Sequence, residues 1–249
     1  MPLAPLELVT NKSNEETVTI AATTKDSVEV VVTEKDVTTE KSYWNTFYSK
    51  FALAVPSQFC VLTAVEVDKA TSSIVEFGCG NGRDSIYLAN QGFNVFATDL
   101  CAKVIGKNQT KTPHVGSVIE FVSVDATNVE QVKAVISKAR SSSSDGNVVV
   151  YTRFFLHSID EDQEDLFLTA LAEALLEGDE MRHEYRSKED EALPKVHGKS
   201  HYRRYIDTPA LLQKLEDKGF ETQYEITGRG MAKYKNEDPF VSRFIVKKV

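Results

Sequence analysis

The chain has 249 residues, a formal net charge of −8 and 41% hydrophobic residues, so it is long enough to bury the core of a full domain. The acidic balance argues against DNA or RNA as the main partner, because a nucleic-acid-binding face must neutralise phosphates. The sequence has no apolar run of roughly 18 residues, so we expect no membrane span, and no basic-then-apolar N-terminus that would mark a secretory signal. The three cysteines lack C-x-x-C spacing. They predict a reducing, cytoplasmic setting with no bound metal.

Two parts of different composition follow each other along the chain. Residues 1–40 are rich in Thr, Val, Glu, Lys and Ser, and we expect a mostly mobile extension. The ordered domain is predicted over 41–249. It begins with a helix carrying a crowded face of aromatics at 43, 44, 47, 48 and 51, and a second helix begins near Pro56.

The rest of the domain alternates between apolar strands and amphipathic helices. Strands are predicted at 73–77, 94–98, 118–125, 147–151 and 179–186, with a terminal hairpin of 220–227 and 240–246. Helices are predicted at 83–91, 102–107, 129–140, 161–176 and 208–218. This order predicts an α/β fold. The sheet is doubly wound, seven-stranded and mostly parallel, with helices on both faces and a C-terminal antiparallel hairpin.

A glycine-rich turn follows the first strand. Gly78, Gly80 and Gly82 occupy every second position after the acidic Glu76, which gives the pattern E-x-G-x-G-x-G. Glycine adopts positive φ without steric cost and lets a ligand approach the backbone closely. The following helix directs its first N–H groups toward that ligand. A dinucleotide turn is spaced G-x-G-x-x-G, so this spacing favours S-adenosylmethionine over NAD.

Acidic residues end the next two strands. Asp99 stands at the tip of the second strand, where a carboxylate can accept two hydrogen bonds from ribose hydroxyls. Asp125, followed by Ala126, ends the third strand. Together with the glycine turn after the first strand, these two strand ends lie at the spacing of successive βα units. The three predict a site for a nucleoside-containing cofactor.

The glycine turn with its leading acid resembles motif I of the class I S-adenosylmethionine-dependent methyltransferases, and the resemblance extends over about 41–249. It implies the Rossmann-like methyltransferase fold, S-adenosylmethionine as cofactor and S-adenosylhomocysteine as product. It also implies roles: Glu76 faces the ammonium, Asp99 the ribose and Asp125 the adenine amine, while an aromatic N-terminal helix covers the cofactor. The cofactor-binding residues implied are Glu76, Gly78, Gly80, Gly82, Arg83, Asp84, Asp99, Leu100, Asp125, Ala126, Tyr151 and Trp44.

The acceptor is expected beyond the fourth strand, where ligands of open α/β sheets bind. Arg153 and His157 are the polar side chains of an otherwise aromatic stretch. A hydroxyl or ammonium acceptor needs a general base, for which His157 is the first candidate and His201 the second. A thioether acceptor needs none, and His157 would then be a positioning group.

Several arginines follow in segments that the fold brings to the same edge of the sheet. The segments with patterns YxRFFLH, ExRSxxD, HYRRxI and GRGxAxY resemble a bacterial-type subgroup of the same superfamily. The arginine fork matches carboxylate and phosphate, so the pattern predicts an anionic acceptor, although neighbouring arginines in an extended segment cannot both point inward. The predicted acceptor-binding residues are Arg153, Arg186, Arg203, Arg204, Arg229 and Tyr234.

The sequence therefore predicts a methyltransferase that acts on a small, polar, anionic acceptor as a monomer or homodimer, with neither nucleic acid nor membrane as partner. Two alternatives stay open. One is an NAD-dependent oxidoreductase, which the glycine spacing opposes. The other is a non-catalytic S-adenosylmethionine-binding partner or sensor protein, which the intact cofactor motifs do not exclude.

Overall fold

The computed structural model describes residues 43–44, 46–48, 54–111, 118–196 and 202–249. The predicted extension 1–40 and the second candidate base, His201, lie outside the described residues. Residues 43–44 and 46–48 are helical, within the predicted aromatic helix. No described helix has the length and apolar character needed to cross a lipid bilayer.

Seven strands of the described chain form a single sheet. Their bounds are β1 Ser72–Phe77, β2 Asn94–Asp99, β3 Ile119–Ser123, β4 Asn147–Arg153, β5 Glu180–Arg186, β6 Phe220–Gly228 and β7 Val241–Lys248. The strand order is β3-β2-β1-β4-β5-β7-β6. Neighbours from β3 to β5 pair in parallel, and β7 is antiparallel to both β5 and β6. The predicted seven-stranded sheet with its C-terminal hairpin is confirmed.

Besides the helical residues 43–44 and 46–48, six α-helices and two short 3₁₀ turns accompany the strands in the described part of the chain. The helices are α1 Gln58–Glu66, α2 Arg83–Asn90, α3 Ala102–Asn108, α4 Val129–Arg140, α5 Glu161–Ala174 and α6 Thr208–Asp217. Side-chain caps fix several starts: Ser57 accepts from the Cys60 N–H at α1, and Asp160 with Gln163 forms a capping box at α5. The 3₁₀ turns, Leu156–Ser158 and Lys188–Asp190, directly follow β4 and β5.

The helices cover both faces of the sheet, because alternate strand residues enter two separate cores. Ile74 and Val95 pack with Phe59 of α1 and Leu88 of α2. Their chain neighbours on the strands pack on the other face, against α4, α5 and α6. The chain moves outward from β1 to β3 and then returns beside β1 as β4. The crevice between β1 and β4 is therefore the switch point at which ligands of such sheets bind.

At the carboxyl ends of β3 and β4 the strands end two residues away from the predicted positions. The third strand stops at Ser123 rather than at 125, because the Asp125 carboxylate turns back to accept from the backbone and side chain of Thr127. The fourth strand continues to Arg153, because β5 pairs with it as far as Glu184. This extension carries Arg153 to the edge where β1 and β4 diverge.

Candidate active site

The glycine turn between β1 and α2 adopts a conformation that requires glycine. Gly78, Gly80 and Gly82 have φ values of 74°, 51° and 71°. A Cβ on Gly80 would lie 2.4 Å from the Tyr48 ring, and one on Gly78 would lie 2.8 Å from the Phe155 side chain. Backbone of this kind, closely covered by aromatic rings, is the cradle expected for the amino-acid part of S-adenosylmethionine.

Asp99 stands beside this turn. Its Oδ2 accepts from the Gly80 N–H at 3.0 Å and its Oδ1 from the Cys101 N–H at 2.9 Å. Burial raises the pKa of Asp99, while these two hydrogen bonds act to lower it. Each carboxylate oxygen keeps a second lone pair for another donor. The side chain thus both fixes the loop and keeps accepting capacity beside it.

Glu76 lies in the floor beneath the turn. It is 4% exposed and accepts a short hydrogen bond from the Ser85 hydroxyl. Burial, reinforced by the nearby negative charge of Asp84, raises its pKa to about 8. A positive ligand group placed here would favour the ionised carboxylate.

A cavity of about 680 Å³ opens at the carboxyl ends of β1 and β4. One wall is the glycine turn, with Glu76, Asn81 and Arg83. The roof is the aromatic segment, in which Trp44 stacks on Tyr48 with ring centroids 5.7 Å apart. The far wall comes from the tips of β4 and β5 and from the loop 229–240 that precedes β7. The cavity thus spans from the cofactor loop to the predicted acceptor segments.

The far wall is built on a buried arginine–glutamate–arginine cluster. Glu184, on β5, is 1% exposed. Its Oε1 lies 2.7 Å from the Arg153 Nε, and its Oε2 lies 2.6 Å from the Arg243 Nε. Arg243 also donates to the Met231 carbonyl at 2.8 Å, which ties the loop 229–240 to the sheet. Glu184 therefore positions one arginine in the cavity and another beneath the loop.

Phe154 completes the orientation of Arg153. The Arg153 guanidinium carbon lies 4.2 Å from the centre of the Phe154 ring. Phe154 has a φ of 56° and donates its N–H to the Glu184 carbonyl at 2.8 Å. Such a conformation is costly for an aromatic residue and is concentrated at functional sites. Here it turns the ring beneath the guanidinium.

Arg186 is held by two carboxylates. It pairs with Asp190 at 2.7 Å and makes a short contact with Glu237. Asp190 also accepts from the Phe240 N–H, and Glu237 accepts from the Val196 N–H. These bonds connect the tip of β5 to Phe240, at the end of the loop 229–240, and to Val196. Arg186 lines the cavity, but both of its terminal nitrogens are bonded to carboxylates of the protein.

His157 lies between Arg153 and Arg186 in the cavity wall and is 4% exposed. Its Nδ1 accepts from the backbone N–H of Arg186 at 3.0 Å. Its own carbonyl accepts from the Arg204 N–H at 3.0 Å. The imidazole thus connects the 3₁₀ turn after β4 to the end of β5.

Comparisons with known proteins agree with this architecture. A family model described as tellurite resistance protein TehB matches residues 38–139, the stretch that holds the glycine turn, Asp99 and Asp125. An S-adenosylmethionine-dependent methyltransferase from Anabaena variabilis superposes with a TM-score of 0.64 at 17% identity, over 84% of this chain and 93% of that one. No curated protein sequence matches the chain significantly.

Two further solved structures have the same fold. A TehB-like S-adenosylmethionine-dependent methyltransferase from Corynebacterium glutamicum has 14% identity and a TM-score of 0.54, over 86% of this chain and 98% of that one. Magnesium protoporphyrin IX methyltransferase from Synechocystis, solved with S-adenosylhomocysteine, has 16% identity and a TM-score of 0.55, over 91% and 90%.

The chain has the fold of the S-adenosylmethionine-dependent methyltransferases, and residues 38–139 match the TehB family model. The predicted fold is confirmed, and these matches agree with the predicted superfamily and cofactor and give no support to the oxidoreductase alternative. The TehB match ends before β4. It thus covers the predicted cofactor half of the site and not the far wall of the cavity.

The structure separates the predicted acceptor residues into two groups. Arg153, Arg186, Arg203 and Tyr234 line the cavity, as does His157. Arg204 does not, because its guanidinium is bonded to the Leu156 and Ile159 carbonyls and to Glu164. Arg229 is exposed and bonded to the Asp238 carbonyl. The bonds that hold Arg204 and Arg229 do not favour their predicted roles in acceptor binding, which stay predictions.

Two of the predicted cofactor residues have structural partners instead. Tyr151 is fully buried, and its hydroxyl donates to Asp84 at 3.0 Å. Asp84 also accepts from the backbone and the hydroxyl of Ser57, at 2.8 and 2.7 Å. Asp84 lines the cavity, yet its hydrogen bonds fasten α1 to α2. The burial of Tyr151 does not favour a cofactor contact, and its predicted role stays a prediction.

The residues predicted for the nucleoside end lie along the neighbouring strand tips. Leu100, Asp125 and Ala126 follow β2 and β3 and lie outside the 680 Å³ cavity. One oxygen of Asp125 is used by Thr127. They lie along the sheet edge next to Asp99, and their predicted roles in binding the nucleoside stay predictions.

Sequence reasoning missed four residues that shape the cavity: Tyr48, Glu184, Glu237 and Arg243. Glu184 and Arg243 lie on strands whose alternation did point them to one face, since they are direct partners across β5 and β7. A pair of opposite charges at facing positions of two neighbouring buried strands was the available signal. Glu237 is distant from Arg186 in sequence, so nothing local indicated that pair.

Proposed function

We propose that this protein transfers the methyl group of S-adenosylmethionine to a small polar acceptor that carries a carboxylate or phosphate. The observation that carries the proposal is the way in which the Arg153 guanidinium is held in the cavity wall. Glu184 holds its Nε and Phe154 supports its face. Its terminal nitrogens make no hydrogen bond within the described residues, although they lie in the cavity wall. A planar fork fixed in this way is suited to bind an oxyanion through two parallel hydrogen bonds.

The cofactor end of the cavity supports the other half of the proposal. The glycine turn and Glu76 would hold the amino-acid part, and Asp99 the ribose, with Asp125 and Ala126 further along at the adenine. The cover would come from Tyr48, which lies against Gly80, and from Trp44, which stacks on Tyr48. These roles place the reactive sulfonium near the β1–β4 crevice, within the same cavity as Arg153.

The bound cofactor supplies an activated methyl group. The protein's task is therefore alignment and exclusion of water, and well-oriented reactions gain about 7–11 kcal/mol from alignment. Arg153 would orient the acceptor, and the aromatic roof would exclude water. We further place this reaction in the cytoplasm, since Cys60, Cys79 and Cys101 are buried thiols.

Calorimetry tests the cofactor half. S-adenosylmethionine and S-adenosylhomocysteine should bind the full chain, and NAD should not. Binding of NAD alone would contradict the proposal.

A screen of small carboxylates and phosphates, read by release of S-adenosylhomocysteine, tests the acceptor half. Arg153→Lys should raise the acceptor KM at least about tenfold, because a point charge replaces the fork. It should leave the cofactor Kd unchanged. Arg229→Lys is the matched control, since Arg229 lies outside the cavity. An equal effect of both variants would remove Arg153 from acceptor binding.

A further inference from the structure

The hydrogen bond at His157 determines which ring nitrogen carries the proton. A backbone N–H can only donate, so the Nδ1 that accepts from Arg186 at 3.0 Å bears a lone pair. In the neutral ring the proton is then on Nε2. Neither nitrogen is available to take a proton from a substrate unless the bond to the β5 backbone is lost. The geometry suits a residue that positions two strand tips and does not suit a general base.

The carboxylates of the cavity wall are also committed. Among the described residues they are Glu76, Asp84 and Glu237. Asp84 accepts from Ser57 and Tyr151, and Glu237 is paired with Arg186. Glu76 accepts from Ser85 beneath the glycine turn, and burial raises its pKa to about 8. Glu76 is therefore protonated at neutral pH until a cationic ligand group favours the loss of that proton.

The cavity is positive although the chain is acidic. Six described lysines and arginines line it, against those three carboxylates, while the whole chain has a net charge of −8. The cationic residues are Arg83, Arg153, Arg186, Arg203, Lys233 and Lys235. Such an excess stabilises a bound anion and keeps an acidic acceptor group ionised.

Building on the proposed function, we propose that the methylated group is the acceptor's own oxyanion and that no described residue acts as a general base, with His157 as a positioning residue. A lone pair on the oxyanion forms the bond to the methyl carbon. The carbon–sulfur bond breaks, and its electron pair stays on sulfur. The negative charge of the acceptor and the positive charge of the sulfonium cancel, so no proton is released. A hydroxyl or ammonium acceptor would instead release one proton for each methyl transferred.

The protonated nitrogen of His157 can be identified without an acceptor. Nitrogen-15 NMR of the uniformly labelled full chain at pH 7.5 distinguishes a protonated Nε2 from a protonated Nδ1. The His157→Asn spectrum assigns the signal among the five histidines of the chain. A proton on Nε2 with Nδ1 unprotonated is expected. A proton on Nδ1 would overturn the proposal.

Proton release gives the second test. Benzoate, phenyl phosphate and benzyl alcohol serve as probes in weak buffer with a pH indicator, and S-adenosylhomocysteine is measured in parallel. Turnover of benzoate or phenyl phosphate without proton release supports the proposal, and the product identifies which oxyanion is methylated. Turnover of benzyl alcohol with one proton per S-adenosylhomocysteine overturns it.

Two variants separate positioning from base catalysis. In His157→Asn the amide oxygen can still accept from the Arg186 N–H, so we expect turnover of the oxyanion probe within about fivefold of the parent. His157→Leu removes that acceptor and should cost at least about tenfold. Loss of about 100-fold or more in both variants is the result expected of a general base and would contradict the proposal. If no probe is turned over or no cofactor binds, the proposed function fails, while the NMR result still decides the role of His157.

Discussion

Glu184 is the residue on which the far wall of the cavity most depends, because its carboxylate faces two arginines with almost no access to water. We expect Glu184→Gln to lower the free energy of unfolding by about 3–5 kcal/mol, since two buried positive charges would lose their counter-charge. Urea denaturation measures this. Glu180→Gln, on the same strand but partly exposed, should cost under about 1 kcal/mol. Equal losses would show that the buried arginine–glutamate–arginine cluster contributes no more to the free energy of unfolding than a partly exposed ion pair does.

Asp99 carries the second prediction at this scale. Asp99→Ala should weaken binding of S-adenosylhomocysteine by about 10- to 100-fold, because it removes charge-assisted hydrogen bonds to the ligand and unties Gly80. Calorimetry gives the Kd. Asp145→Ala, in the exposed loop between α4 and β4, is the control. An unchanged Kd would exclude Asp99 from the ribose role.

Glu76 makes stability depend on pH. Its pKa is about 8 in the folded protein and near 4.5 when unfolded, so the folded state holds the extra proton between these values. Its contribution to stability is complete below about pH 4.5 and is lost as the pH rises toward 8, by at most about 1.4 kcal/mol per pH unit. Urea titrations at pH 5.5 and 8.5 should therefore show the parent losing stability relative to Glu76→Gln. A constant difference between the two proteins would contradict this.

At the scale of elements, hydrogen bonds to Asp84 connect α1 to α2. Ser57 caps α1 and at the same time donates to Asp84, in the first turn of α2. We expect Asp84→Ala to cost about 3 kcal/mol or more, because the buried Ser57 N–H loses its acceptor and the Ser57 and Tyr151 hydroxyls, 3.2 Å apart, cannot both donate to each other. Ser57→Ala should cost about 1 kcal/mol. Thermal or urea unfolding compares the two, and a cheaper Asp84 substitution would refute the assigned connection.

The elements themselves were predictable where a local pattern decided them. The bounds of α4 match the prediction at both ends, since Asn128 caps it and apolar residues recur at helical spacing. The glycine turn was predictable because only glycine tolerates its φ values and close neighbours. Strand ends were less so: β4 runs two residues past its prediction because β5 pairs with it. That partner lies far along the chain, and a local pattern does not contain it.

At the scale of the whole molecule, the domain boundary stays a prediction. If residues 41–249 form the domain, deletion of 1–40 should shift the Tm by less than about 2 °C, since a mobile extension buries little surface. The Kd for S-adenosylhomocysteine should also be unchanged. Differential scanning calorimetry and titration calorimetry measure the two quantities. A large fall in either would show that the extension packs against the domain.

The sequence by itself determined the fold class and predicted the cofactor half of the site, since the glycines and the acids at the strand tips follow from the local order of strand, turn and helix. Tertiary structure alone decided which of the predicted acceptor arginines line the cavity. Arg153 and Arg204 are equally plausible in sequence, yet Glu184 turns one toward the cavity and Glu164 holds the other within the fold. The physical reason is that a buried charge must be paired, and the partner is chosen by strands and helices that meet only when the chain folds.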